Sequence, residues 1–219
     1  MPTVVDTVVL HYFLVVDEVD LLLELLDQPV GVPRIVFDPD DDQGTDAVVS
    51  ELRQNIRYEE RVAKEAVRSD GDDSTRELQD AQTRAETNAK RLRRIEDIVA
   101  GSRIDVLDLS DAERSLSDRL TSREPDPALG LLVALDDGEA ACLAIAVERG
   151  WVVATDDGDA LRVLDQIAPG HPYERIRRLL VRAATRGLVT EQRANEIHGA
   201  MTRAGFWDPV SPFPDVVEE

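Results

Sequence analysis

Carboxylates stand at four places where an apolar run stops or a helix is about to begin. Asp6 follows Val4-Val5, and Asp38 follows Ile35-Val36-Phe37. Glu139 lies in Asp137-Gly138-Glu139, and Asp156, Asp157 and Asp159 follow Trp151 to Ala154. Acids crowded into one cavity raise each other's pKa, because each ionisation opposes the next. A hard divalent cation removes that conflict: Mg²⁺ takes oxygen ligands, keeps several waters and leaves positions for phosphate oxygens. A bound metal generates hydroxide and stabilises charge at a phosphoryl centre. The chemistry of this residue set is therefore metal-assisted phosphoester hydrolysis, provided the fold brings the acids together. Each acid also has an ordinary reading. Glu139 suits the positive end of a helix dipole, Asp156 or Asp157 suits a helix N-cap, as does Asp6 before Thr7, and Asp38 borders an acidic, solvated run.

The elements that must position them follow from periodicity. Val4-Val5 reads as a short buried strand, and Val8 to Leu26 as two tandem helices, the second capped by Asp17. Gly31-Val32-Pro33 reads as a break, with Pro33 in the first turn of a helix carrying Ile35 to Phe37. Residues 46–100 form a polar helical hairpin with apolar seams (Val49, Leu52, Ile56; Leu78, Ala81, Ala85, Leu92, Ile95). Ser74 with Glu77 forms a capping box, and Gly101 follows the second helix. The hairpin has the character of an insertion, serving either as a solubilising extension or as an arm for a partner or a homodimer. Ile104 to Leu109 alternates as a strand, Ser110 with Glu113 is another capping box, and Ala140 to Val147 is a helix apolar almost all round. Trp151 to Ala154 is a strong strand. Three helices follow, the last two over Tyr173 to Arg186 and from a Thr190 cap to Ala204. Strands separated by helices imply a mostly parallel sheet covered on both faces, with sites at the carboxyl ends of the strands. The expected organisation is one domain over 1–207 and an extended acidic tail over 208–219.

Composition narrows the class. The 219 residues carry 25 Lys+Arg against 45 Asp+Glu, a net charge of −20, which excludes a conventional basic nucleic-acid-binding domain. Lys64 and Lys90 are the only lysines. An Asp-rich, Lys-poor chain suits concentrated salt, where the Debye length falls to about 3 Å and self-repulsion fades. The competing reading is an acidic surface that docks a basic partner. A single cysteine, Cys142, excludes a disulfide scaffold and a multi-Cys zinc site, and His11, His171 and His198 lack ligand spacing. No basic residue precedes Arg34 and no apolar run reaches about 20 residues, so a soluble cytoplasmic protein with no membrane span is expected. Neither a GxxxxGK[ST] nor a GxGxxG pattern occurs. Receiver and haloacid-dehalogenase-like chemistry is disfavoured, because both lysines fall in the hairpin and Asp6 is followed by Thr7-Val8 rather than x-Asp. Arg175, Arg177, Arg178, Arg182 and Arg186 either meet phosphates or pair with the chain's own acids.

Val4-Val5-Asp6-Thr7, Leu21 to Leu26 and Val32-Pro33-Arg34-Ile35-Val36-Phe37-Asp38 resemble the opening of a PIN-domain ribonuclease. Leu135-Asp136-Asp137-Gly138-Glu139-Ala140 and Val153-Ala154-Thr155-Asp156-Asp157 resemble that family's later acidic motifs. Leu180 to Ala183, Arg186-Gly187-Leu188-Val189 and Ala204-Gly205-Phe206 resemble the C-terminal helices of its VapC-toxin-like branch. The resemblance spans roughly 1–40 and 102–207. It implies a three-layer α/β/α sandwich and Mg²⁺- or Mn²⁺-dependent hydrolysis of RNA phosphodiesters, often as the toxin of a toxin–antitoxin pair. On this reading Asp6, Asp38, Glu139 and Asp157 are the catalytic acids. Asp6 and Asp157 anchor the metal, Glu139 assists directly or through water, Asp156 and Asp159 stand as substitutes, and Asp38 handles the attacking water. Two departures are plain: the second acid is Asp38 rather than the commoner Glu, and Ala141 stands where many relatives carry another acid. The rival implication is a PIN-like binding or assembly module that no longer cleaves.

Overall fold

Five very short strands, three of them wholly or largely buried, make the centre of the protein. A computed structural model describes residues 1–26, 29–37, 48–68, 72–122 and 133–208. The strands are β1 (Thr3–Val5), β2 (Val30–Pro33), β3 (Asp105–Leu107), β4 (Val152–Ala154) and β5 (Tyr173–Glu174). They pair in the order β3-β2-β1-β4-β5, every neighbour parallel. Helices flank this sheet to give a three-layer α/β/α sandwich, as expected from strands alternating with helices. Among the described residues no helix is long and apolar enough to cross a membrane.

Two segments differ from the sequence reading. Gly31-Val32-Pro33, read as a break, lies in the buried strand β2 (Val30–Pro33) between β1 and β3. Gly31 and Pro33 look like breakers but serve close packing. A Cβ on Gly31 would lie 2.4 Å from Leu107 Cδ1 and 3.1 Å from Trp151 Cζ3, and Pro33 ends the strand, where a missing N–H is tolerated. Only Arg34–Phe37 is helical there (α3). Likewise the first residues of the segment from Tyr173 pair with β4 as β5, and the helix (α9) is confined to Ile176–Thr185. The tandem helices are α1 (Thr7–Val15) and α2 (Val19–Leu25), but Asp17 does not cap the second. It sits in the left-handed region at φ 61°, and Glu18 takes the N-cap position without a side-chain bond.

The hairpin comprises α4 (Val48–Arg68) and α5 (Asp72–Ala100) packed along one another. Its base joins the core through Val48, Val49, Leu52, Ile95 and Ile98. Arg91 donates to the Val15 carbonyl at 2.8 Å, and Arg94 and Arg103 share Asp20. Residues 46–47 and 69–71 of the expected insertion lie outside the described residues, as do 209–219 of the expected tail. The remaining helices are α6 (Asp111–Thr121), α7 (Asp137–Arg149), α8 (Gly158–Ile167) and α10 (Glu191–Arg203), the last capped by Thr190 as predicted. Ser110 and Glu113 form the predicted capping box on α6. Glu113 also pairs with Arg149 through Nε–Oε1 at 2.5 Å and Nη2–Oε2 at 3.0 Å, which locks α6 to the end of α7.

The strand order reverses around β1: β2 and β3 lie to one side, β4 and β5 to the other. In such sheets the crevice beyond the carboxyl ends of the strands, at that switch point, is where sites form.

Candidate functional site

Val5 stands in register with Ala154, so the residues that follow them, Asp6 and Thr155, emerge side by side. The Asp6 amide continues the ladder by donating to the Ala154 carbonyl at 3.0 Å. Its side chain is 2% exposed. Oδ1 accepts from the Thr7 amide at 2.7 Å and caps α1, and Oδ2 accepts from the Thr155 hydroxyl at 2.8 Å. Burial raises the Asp6 pKa from 3.8 to about 6. The bonds from Thr155 and Thr7 oppose the rise, and the charges of Asp136 and Asp157 add to it.

The start of α7 faces the same place. Gly138 packs closely there: a Cβ would sit 3.3 Å from Val36 Cγ2, a tight contact, and 3.8 Å from Thr7 Oγ1, an ordinary one. Asp136 caps the helix by accepting from the Glu139 amide at 2.8 Å, and its own amide donates to Glu139 Oε2 at 3.3 Å. Burial, followed by the charges of Asp136, Asp157 and Asp6, pushes the Glu139 pKa from 4.5 to about 8. Asp157 closes the group as the N-cap of α8. Its Oδ1 accepts from the Asp159 and Ala160 amides at 2.7 and 2.8 Å, while its own amide donates to Thr155 Oγ1 at 3.2 Å. Asp6, Asp136, Glu139 and Asp157 therefore share one electrostatic field, and Thr155 ties Asp6 to Asp157.

The other sequence candidates are placed differently. Asp156 turns to α9, with Oδ1 3.0 Å from Arg175 Nε and Oδ2 accepting from the Ile176 amide at 2.6 Å. Asp159 pairs with Arg162 along α8. Asp38 lies outside the described residues. Ala141 is buried within α7. The late arginines largely meet protein groups: Arg175 binds Asp156, Arg177 binds Asp208, and Arg182 binds Glu174 and the Leu25 carbonyl. Arg178 lies over the Tyr173 ring. Cys142 is a buried core residue whose thiol points to the Val5 carbonyl and is pushed well above its usual pKa by burial.

Two members of the group are not singled out by sequence pattern. Asp136 stands in Asp-x-x-Glu, the same capping-box pattern as Ser110/Glu113, which signals a helix start rather than a site. Thr155 carries no comparable signal, since its role depends on the β1–β4 register. Among the described residues no group of three or more His, Cys, Asp or Glu side chains is arranged to hold a metal ion. A groove of about 440 Å³ lies away from these acids on the hairpin, between Ala63 and Lys64 of α4 and Leu78 and Ala85 of α5. Comparisons with protein-family models, with curated proteins and with solved structures each return no match.

Proposed function

We propose that this chain is a PIN-like, Mg²⁺- or Mn²⁺-dependent endoribonuclease that acts as the toxin of a toxin–antitoxin pair. The observation that carries the reading is the raised carboxyl pair: Asp6 near 6 and Glu139 near 8, each pushed up partly by the charges of Asp136 and Asp157, at the switch point of a parallel sheet. Such a donor set is all oxygen and mutually repulsive, which suits a hard cation that keeps several of its own waters. Asp6 and Asp157 would hold it, with Glu139 reaching it through water. When bound, the ion would supply charge stabilisation at the phosphoryl group and an activated water.

The chain's own residues have definite tasks. Thr155 donates to Asp6 Oδ2 and fixes the direction of that carboxylate. The capping box holds the Glu139 side chain back over the Asp136 amide. Without a cation Glu139 keeps its proton at pH 7. The test is cleavage of a short single-stranded RNA in high KCl with Mg²⁺ or Mn²⁺. Asp6→Asn is expected to abolish it, and undiminished cleavage by that variant in EDTA would refute the assignment.

A second reading, a PIN-like binding or assembly module, is supported by Ala141 and by the absence of a ready-made ligand set among the described residues. It expects neither metal binding nor cleavage by the wild-type chain.

A further inference from the structure

Trp207 is the most exposed large apolar side chain among the described residues, at 78%. Its neighbours are anchored. Phe206 is 5% exposed, its ring 5.1 Å from that of Tyr12, and its amide donates to the Met201 carbonyl at 3.0 Å. Asp208 Oδ2 lies 3.3 Å from Arg177 Nη1 and 2.9 Å from His198 Nε2, in a cluster whose side chains are only 10–12% exposed. The backbone thus presents an indole to solvent from a fixed mount.

The mount is tied to the chain that leaves β4 for the acid site, because Asp156 directly precedes Asp157. Arg177, which holds Asp208, follows Ile176, whose amide binds Asp156. Any nucleic acid that approaches a chain of charge −20 gains little from its phosphates, least of all in concentrated salt, where phosphate attraction is lost first. Stacking on an aromatic face survives salt and accepts every base.

We propose that Trp207 is a stacking platform for an unpaired base of the nucleic acid bound at the acid site. This rests on the nuclease reading of that site and assigns Trp207 as the residue that selects single-stranded over paired substrate.

The experiment titrates a single-stranded RNA of about eight nucleotides, in EDTA and high KCl, reading Trp fluorescence in the wild type and Trp207→Ala, and anisotropy of the end-labelled strand for the affinities of the wild type, Trp207→Phe and Trp207→Ala. An abasic strand of the same length and a duplex serve as controls. The expected result is quenching by the single strand alone, lost in Trp207→Ala. Affinity should fall roughly five- to hundred-fold in Trp207→Ala and be largely kept in Trp207→Phe. In cleavage assays Trp207→Ala should raise KM with little change in kcat. Quenching without any cleavage would sink the nuclease reading and leave stacking standing. Cleavage with no quenching and an unchanged KM in Trp207→Ala would overturn stacking and leave the nuclease. Equal quenching by the abasic strand, or burial of Trp207 by self-association without RNA, would also overturn it.

Discussion

Asp6→Asn isolates the electrostatic argument from the structural one. Asn is as good an N-cap as Asp, so its side-chain oxygen can take over the bond from the Thr7 amide. Its amide group then faces Thr155 Oγ1, which already accepts from the Asp157 amide and has one lone pair left. What disappears is a charge in a buried, repulsive place. The Asp6 pKa rises from 3.8 to about 6 on folding, about 2 pH units at about 1.4 kcal/mol each, or about 3 kcal/mol. The sign follows from proton counts. Between pH 3.8 and 6 the folded protein holds a proton that the unfolded chain has released, so stability falls as pH rises through that window and stays low above it. The variant should therefore lie about 1 kcal/mol below the wild type near pH 3.8, where only the lost Thr155 donation counts, and should overtake it by about pH 5. Above pH 6 it should gain about 2 kcal/mol, the full amount of about 3 less that same 1. Urea denaturation in EDTA at fixed ionic strength, from pH 5 to pH 8, reads this directly. A variant no more stable than the wild type at pH 8 would refute the claim that burial and neighbouring acids strain the Asp6 carboxylate.

Saturating Mg²⁺ should raise the Tm of the wild type more at pH 8 than at pH 6 and release protons, because Glu139, near 8, must ionise to assist; isothermal titration in two buffers of different ionisation enthalpy measures the protons. A pH-independent shift would break that link. Glu113→Gln should cost about 2–3 kcal/mol at pH 7. The Arg149 pair, with help from Ser110, lowers the Glu113 pKa from 4.5 to about 2, so this stability is present above 4.5 and lost as pH falls toward 2. Denaturant melts at pH 7 and pH 3 should show the gap shrink. Gly31→Ala should cost about 1–3 kcal/mol by overpacking against Leu107 and Trp151, read by thermal melting. An unchanged Tm would mean that the edge strand yields freely.

How far the sequence foretold the fold depended on the length of each element. Helices spanning several turns announced themselves through periodicity and caps, as with α7, α10 and the Ser110 box of α6. Strands of two to four residues carry no alternation to read, and β2 and β5 also contain or border Gly31, Pro33 and Pro172, which look like punctuation. At the site, the end of a buried strand was enough to single out Asp6. It was not enough to separate Asp156 from Asp157. Adjacent residues leaving a strand face different neighbours, and here one side chain turns to α9 while the other caps α8. That choice is made by the turn after β4 and by the packing of β5, neither of which has a local signature.

Capping and chemistry coincide at this end of the sheet. Asp6, Asp136 and Asp157 each cap a helix, α1, α7 and α8, and all three helices begin there. Their dipoles favour negative charge by a few tenths to about 1 kcal/mol apiece, which helps explain how four carboxylates coexist. Capping alone does not require the charge, since Asn or Ser would make the same bonds. If the dipoles fully compensated the crowding, Asp6 and Glu139 would titrate at or below their usual values. They are instead pushed to about 6 and about 8, so burial and repulsion win. A site that lowers stability at neutral pH, when uncharged side chains could cap the same helices, carries the signature of selection for something other than stability. On this argument, neutralising any one of Asp6, Asp136 or Asp157 while keeping its cap should lower the Glu139 pKa. A Glu139 titration unmoved by all three neutral variants would leave the acids as caps and nothing more.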